Sequence, residues 1–439
     1  MNNPTRTNSY SKYSIYLTLV GFLATPKNIF SLQDLAISLL ILTALYYILF
    51  TRNVRLILAH IIIITATTAW MGDFLPVAMR SGLNFSVIIS VISIITYFIK
   101  FKTFMLSKIT KNLKITIFIL ILYLIFDIYS NVISVYPNEW RPIIGSYLKT
   151  FSILLYANHL GILEKFNGSI DTIFLLLSGI WGISLNYAFK LLSGNVVDAT
   201  DISGLRDAGA FDPNFLAVIT SAVLLLFTIN LINKRNIKYS GVGAILSLIA
   251  ILGSGSRTAL ISFGVGLIIV LFYNANLMFN KKSGIIIAIV IITGIFGFEQ
   301  FIKIMPQLLV ERFTNVKKGY EDAREMSYLN ALKFIQKEPI IGNGKSYYKK
   351  NESIIAAGAH NTFLNMFAEG GIFFIIIFLI YILRTYLIFK KIQVLPNKSL
   401  FMGILFVYII ANLGLTLNLG DFVFTTYFSI FIIGFNKVG

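Results

Sequence analysis

Residues 368–390 read AEGGIFFIIIFLIYILRTYLIFK, an apolar run long enough to cross a bilayer, which takes roughly 20 helical residues. Similar runs recur along the chain. The clear ones are 31–50, 54–71, 83–99, 113–135, 170–190, 214–233, 258–279, 284–298 and 400–418, and the weaker ones are 13–25, 143–161, 239–252 and 421–436. They are continuous rather than alternating, which excludes a transmembrane barrel. We therefore predict an all-α polytopic membrane protein with about 12–14 transmembrane helices.

The composition supports this class. Hydrophobic residues make up 56% of the chain and charged residues only 13%, against about 25% charged in soluble proteins. There is no cysteine, and the three histidines lack metal-ligand spacing, so we expect no disulfide, metal or other cofactor. The N-terminus lacks a small-residue cleavage site, so we expect no removable signal peptide. The net charge of +18 reflects basic loops beside the bilayer, and we expect no nucleic acid partner.

The basic residues predict the topology. Alternate loops form two sets that hold nineteen and six Lys and Arg residues, and the richer set is predicted to be cytoplasmic, as are both termini. The richer set comprises Arg6, Lys12, Arg52, Arg55, Lys100, Lys102, Lys108, Lys111, Lys114, Lys165, Lys234, Arg235, Lys238, Lys281, Lys282, Lys390, Lys391, Lys398 and Lys437. Segments 200–213, 253–257 and 299–360 are then predicted to face the extracytoplasmic side of the membrane. That compartment offers no ATP, so any chemistry there draws its energy from an activated substrate.

We predict one transmembrane domain, 1–439, with 299–360 as a large periplasmic loop inserted within it. Within the loop, the 3.6-residue pattern of 321–335 predicts a helix with Tyr328, Leu332 and Ile335 near one face. Pro339 ends this helix, and a turn follows at Gly342 and Gly344.

Two polar motifs precede apolar helices on the predicted periplasmic side. In Gly253–Arg257, Ser256 is a plausible N-cap, and Arg257 beside the free N–H groups of a helix start would bind a phosphate. The alternative is a tight turn whose arginine pairs with lipid headgroups. In 206–214, Asp212 and Pro213 fit an N-cap and first helical position, which leaves Arg206 as a second anion contact or a solvated charge.

His360 and Asn361 stand just before a third outward-facing helix start. The positive end of that helix would disfavour the imidazolium and lower the pKa of His360, leaving a neutral base. The alternative is a capping or packing histidine. Glu369 is costly within an apolar helix and is a functional candidate, although it is out of phase with His360. Together, the three motifs suggest a pyrophosphate site with a general base.

Three blocks in this order resemble the O-antigen ligase and O-antigen polymerase superfamily of bacterial inner-membrane glycosyltransferases. They are 254–260 (SGSRTAL), 339–344 (PIIGNG), and 360–364 (HNTFL) followed by Glu369 and Gly371. Arg206 with Asn214, and Arg324 ahead of 331–332, match other patterns that are common in that superfamily. The resemblance therefore covers roughly 200–375. At Phe374 the family often has glycine, so the packing of that helix is expected to differ.

The resemblance implies a metal-independent, inverting transfer of a glycan from undecaprenyl pyrophosphate to an acceptor hydroxyl at the periplasmic face. His360 would be the base, and Arg206 and Arg257 would bind the pyrophosphate. Arg324 would assist from the loop, which would cover the acceptor site. The other substrate-binding candidates are Asn214, Ser256, Asn361 and Glu369. The expected partners are the lipid-linked oligosaccharide, an acceptor glycan, the lipid bilayer and, for a polymerase, a chain-length regulator protein.

Three functions stay open at this point. A polymerase would add the glycan to another lipid-linked repeat, whereas a ligase would move it onto lipid A-core. The Asp-Pro-Asn block at 212–214 favours the polymerase slightly. A lipid-linked oligosaccharide flippase or transporter would use charges inside the bilayer, and Asp127, Lys149, Glu369 and Arg384 lie in or near apolar runs. The crowding of polar motifs on one side favours an enzyme.

Overall fold

The computed structural model describes residues 4–25, 32–71, 85–107, 110–134, 140–163, 169–192, 213–254, 256–274, 318–350, 359–417 and 422–437. All regular structure within these ranges is helical. The α-helices are α1 (Pro4–Leu23), α2 (Gln33–Phe50), α3 (Val54–Met71), α4 (Phe85–Ser107), α5 (Lys111–Val132), α6 (Trp140–Leu163), α7 (Ser169–Leu192), α8 (Pro213–Ile232), α9 (Ile237–Gly253), α10 (Arg257–Tyr273), α11 (Lys318–Lys337), α12 (Thr362–Lys390), α13 (Leu395–Gly414) and α14 (Phe422–Phe435). A short 3-10 helix covers Tyr347–Lys350.

The helices confirm the predicted class of all-α polytopic membrane protein. Among the described residues, five helices are long and apolar enough to cross a bilayer, namely α2, α5, α8, α12 and α13. Seven shorter apolar helices accompany them. Every predicted apolar run forms a helix except 284–298, which lies outside the described residues. Helix α8 begins at Pro213, as predicted, whereas Asp212 lies outside the described residues.

The chain divides into two compact units. Unit 1 comprises 1–33, 177–317 and 392–410. Within it, α8 and α10 run in the same direction, because Ser221 of α8 donates a hydrogen bond to Ala259 O (3.0 Å) and Leu225 lies beside Gly266, further along α10. The starts of α8 and α10 therefore lie at one end of unit 1. This agrees with the prediction that 200–213 and 253–257 face the same side.

Unit 2 comprises 34–176, 318–391 and 411–439, and contains α5 and α12 as antiparallel neighbours. The start of α5 meets the end of α12, where Arg384 Nη1 donates to Thr116 Oγ1 (2.7 Å). The end of α5 meets the first part of α12, where Ser130 Oγ donates to Glu369 O (3.2 Å). These two contacts fix which ends of the helices lie together.

The ends predicted to be cytoplasmic gather at one end of unit 2. Helix ends are joined there by four contacts: Lys100 Nζ to Ile48 O (2.7 Å), Phe101 against His159, Asn436 Nδ2 to Asn158 Oδ1 (3.2 Å), and Asn112 Nδ2 to Phe435 O (3.3 Å). The basic residues Lys111, Lys114, Lys390 and Lys391 lie at this same end. The grouping is what the loop charges predicted for unit 2. We call the opposite end of unit 2 its outer end. In unit 1, the outer end is the one at which α8 and α10 begin.

Single cysteines can test the topology directly, because the natural chain has none. Cysteines replacing Ile341 and Arg257, both exposed near outer ends, should react with a membrane-impermeant maleimide from the periplasm. Cysteines replacing the exposed Lys391 and Arg235 should react only after the inner membrane is permeabilised. Labelling of positions 257 and 341 from opposite sides of the membrane would refute the topology.

Candidate active site at a broken helix

Helix α12 is interrupted near its start. Gly371 has φ +71° and ψ −168°, so the helix consists of a short first part, 362–370, and a long second part from Ile372 onward. Such a break leaves carbonyl and N–H groups without partners in the helix. In a segment long and apolar enough to cross a bilayer, these groups must be satisfied by other protein groups.

The turn that follows Pro339 supplies the missing partners. Asn343 N donates to Ala368 O (2.8 Å), and Gly344 N donates to Glu369 O (2.9 Å). On the other side of the break, Ile372 N donates to Pro339 O (3.0 Å). The Asn343 side chain adds a hydrogen bond, in which Nδ2 donates to Phe334 O (2.7 Å) near the end of α11. The turn and the broken helix are therefore complementary halves of one structure.

Glycines make this close fit possible. Gly342 has φ +76°, and a Cβ there would lie 2.5 Å from both Glu369 O and Gly371 N. A Cβ on Gly371 would collide with the carbonyl of Ile340. Left-handed backbone is readily adopted by glycine, and an added side chain would meet backbone atoms that cannot move away. Of the two glycines that the sequence marked as a loop turn, Gly342 thus allows the close approach to the break, and Gly344 allows a close approach to Ile133 and Ser134 at the end of α5.

The outer end of α5 holds the turn from the other side. Lys345 N donates to Ser130 O (2.9 Å), and Ser134 Oγ donates to Lys345 O (2.7 Å). The Lys345 side chain also forms an ion pair with Asp127 Oδ1 (2.7 Å). Asp127, noted in the sequence only as a charge within an apolar run, therefore has its partner in the loop. No sequence pattern indicated that Ser130, Ser134 or Lys345 would take part in these contacts.

His360 lies immediately before the first part of α12. Its φ is +46°, in the left-handed region that few non-glycine residues adopt, and its side chain is half-buried. Asn361 is the N-cap, because its Oδ1 accepts from Leu364 N (3.1 Å). His360 is therefore not the cap of this helix, which removes one of the structural explanations for it. Residues in uncommon backbone conformations cluster at functional sites.

The start of α12 is fixed against the last residues of α13 and the segment that follows it. Asn361 Nδ2 donates to Leu413 O (3.1 Å). Thr362 Oγ1 donates to Leu415 O (2.8 Å) and accepts from Leu417 N (2.9 Å). These contacts hold the N-cap residue and the first residue of the helix, next to His360.

The loop helix α11 packs on the first part of α12. The helix predicted at 321–335 is confirmed, and its end at Lys337 agrees with the stop predicted at Pro339. Of the three residues predicted near one face, Ile335 is buried and Tyr328 packs against the apolar cluster, whereas Leu332 is exposed. The shared apolar cluster consists of Ala331, Phe334, Ile335, Tyr347, Ala359 and Ala368. Arg324 falls within α11, and its side chain is outside the described residues.

Tyr347 is an ionisable side chain buried in this apolar cluster. Burial raises the pKa of its phenol, and the charge of Glu369 raises that pKa further. The phenol therefore stays protonated at neutral pH and is a poor proton acceptor.

Phe374 occupies the position where the resemblance would place glycine. Its ring is buried and packs edge-on against Tyr123 of α5, with the ring centroids 4.6 Å apart. A Cβ on Gly370 would collide with the Phe374 ring. The aromatic ring thus fills the space beside Gly370.

The remaining candidates belong to unit 1. Ser256 is the predicted N-cap of α10, with Oγ accepting from Ala259 N (3.3 Å), and Arg257 is the exposed first residue of that helix. Asn214 is the second residue of α8. Arg206 lies outside the described residues. The start of α10 therefore presents an exposed arginine at a helix N-terminus, an arrangement suited to a phosphate.

The fold and these motifs define a polytopic membrane protein with a broken helix completed by a loop turn. A family model described as O-antigen ligase matches residues 242–379, which contain α10, the turn, His360 and the break. This match supports the resemblance to the O-antigen ligase and polymerase superfamily that the motifs indicated. No curated protein matches the chain.

Replacing Gly371 with alanine should destabilise the protein strongly. The left-handed φ costs about 1–3 kcal/mol for a residue with a side chain, and the collision with Ile340 adds to it. The measurement is thermal unfolding of the detergent-purified protein. Gly264→Ala in α10 is the matched control, because a Cβ there meets nothing within 4 Å. Equal melting temperatures for the two variants would contradict the role given to Gly371.

Proposed function

We propose that this protein transfers a glycan from undecaprenyl pyrophosphate to an acceptor sugar hydroxyl at the periplasmic face of the bacterial inner membrane. The observation that carries the proposal is the assembly in unit 2 of motifs that are separate in sequence. The turn at 339–344, His360 with Asn361, and Glu369 with Gly371 form one packed structure. All of them fall inside the segment that matches the family model.

His360 is the proposed general base. The acceptor hydroxyl oxygen attacks the anomeric carbon of the donor, and the bond from that carbon to the pyrophosphate oxygen breaks. The hydroxyl proton passes to the imidazole, and undecaprenyl pyrophosphate leaves with the bonding electron pair. Attack opposite the leaving group inverts the anomeric configuration. The position of His360 before a helix N-terminus, where a positive charge is disfavoured, suits a neutral base.

Arginines are the proposed ligands of the pyrophosphate. Arg257 is exposed at the start of α10, where the helix N–H groups add to its charge. Arg206 and Arg324 are proposed to share this role on the basis of the family resemblance alone. Stabilising the charge that develops on the leaving group is what such groups contribute, so no metal is required in this scheme. Ser256, Asn214, Asn361 and Glu369 are proposed to line the substrate sites.

Polymerase activity is the form that we favour, with ligase activity as the alternative. The Asp-Pro-Asn block at 212–214 is the sequence feature that favours it. The lipopolysaccharide of a deletion strain separates the two on a gel. Cores that carry a single repeat indicate a polymerase, whereas cores that carry no repeat indicate a ligase.

The transporter alternative depends on charged groups within the bilayer. Asp127 is paired with Lys345, and Arg384 bonds to Thr116 and to Asn112 O (2.6 Å). These charges therefore have protein partners that explain their presence, which supports the enzyme over the transporter. Reconstituted protein with purified lipid-linked donor tests this directly, since a transferase forms product and a flippase only moves the donor.

Removing the base or the phosphate ligand should abolish product formation in that assay. His360→Ala should lower turnover by about 10²–10⁴-fold, which is the usual contribution of a positioned acid–base group. Arg257→Ala should also be inactive, and Arg257→Lys should stay impaired because lysine cannot make the bidentate contact. The measurement is product formed from purified donor and acceptor with a chelator present.

Arg235→Ala is the matched control for these variants. Arg235 is exposed and belongs to the loop between α8 and α9, which is predicted to be cytoplasmic. It should keep wild-type turnover. All variants should insert and purify like the wild type. Normal turnover by His360→Ala would remove the assignment of the base.

A further inference from the structure

The ion pair between Asp127 and Lys345 joins a helix of the bilayer to the loop. Asp127 lies in α5, a candidate membrane span, and its side chain is only 11% exposed. A carboxylate in such a place is costly unless it is paired. Lys345 is the residue directly after the turn that completes the broken helix. Among the described residues, the charge of Asp127 is therefore compensated by Lys345 while the loop is docked.

Backbone hydrogen bonds connect Lys345 to the broken part of α12. Lys345 N donates to Ser130 O, and the preceding Gly344 N donates to Glu369 O. Ser130 Oγ donates to the same Glu369 carbonyl. The end of α5, the turn and the break of α12 thus share one set of contacts. A shift of Lys345 would move the turn, and with it the first part of α12 that follows His360.

We propose that Asp127 and Lys345 are positioning residues for the transfer reaction. Their ion pair holds the loop in the docked arrangement, in which α11 covers the first part of α12 and His360 is correctly placed. Neither residue touches the reacting atoms in this scheme. The expected effect on turnover rests on the proposed function, whereas the expected effect on loop docking rests on the contacts alone.

Loop docking can be measured without any substrate. Ala331 of α11 is fully buried in the cluster shared with α12, so a single cysteine at this position reports whether the loop is docked. In the otherwise natural chain, Ala331→Cys should react slowly with a membrane-impermeant maleimide. Adding Lys345→Met or Asp127→Asn should speed its labelling by about tenfold or more, because one charge is left without its partner. Unchanged labelling would overturn the proposal.

The kinetic consequence is a loss of turnover rather than of donor binding. Misplacement of a catalytic group by about 1 Å from a distant change can cost on the order of 10²-fold. Lys345→Met and Asp127→Asn should therefore lower kcat with little change in KM for the donor. The double variant should lose no more than either single variant, because the two residues act as one unit. Additive losses, or wild-type kcat in both single variants, would refute the positioning role.

Lys100→Met separates positioning from general stability. Lys100 Nζ donates to Ile48 O and Thr51 O, both at 2.7 Å, at the other end of unit 2. Its loss should lower the melting temperature while kcat and labelling at position 331 stay unchanged. If Lys345→Met behaves in this same way, the ion pair is structural only. If the wild-type chain forms no product at all, the proposed function fails, and the labelling still decides whether the pair docks the loop.

Discussion

The hydrogen-bonding requirement of backbone within a bilayer governs the outer end of unit 2. A helix can leave its regular path there only if other protein groups take up the carbonyl and N–H groups that it releases. In α12 those groups are met by Asn343, Gly344 and Pro339, all from the turn after α11. The shape of the helix therefore depends on the loop, and the loop depends on the helix for its place.

This dependence explains why the motifs of the segment include residues that contribute backbone groups rather than side-chain chemistry. Gly342, Gly344 and Gly371 allow backbones to approach more closely than side chains would permit. Pro339 contributes a carbonyl, and Asn343 contributes both its backbone and its amide. His360 and Asn361 stand before the helix that this framework positions. The catalytic proposal for His360 thus rests on a structure built largely from main-chain bonds.

Much of the fold follows from the sequence, because apolar runs of bilayer length must be helices. The starts of α8 at Pro213 and of α10 after Ser256 could also be predicted from local capping chemistry. The break at Gly371 could not, since two glycines within an apolar run are compatible with an unbroken membrane helix. The pairing of Asp127 with Lys345 joins residues far apart in the chain, which local patterns do not reveal. The burial of Ala331 and the exposure of Leu332 in α11 could not be predicted, because both residues are apolar and only the packing on α12 decides which of them is covered.

The completion of α12 by an earlier segment has a consequence for biosynthesis. Residues 339–345 leave the ribosome before 362–390, so the partner of the interrupted helix is already made when that helix enters the membrane. Insertion of α12 can then be followed at once by capture of its free carbonyls. A chain with the opposite order would expose those groups to lipid until its loop had been translated and exported.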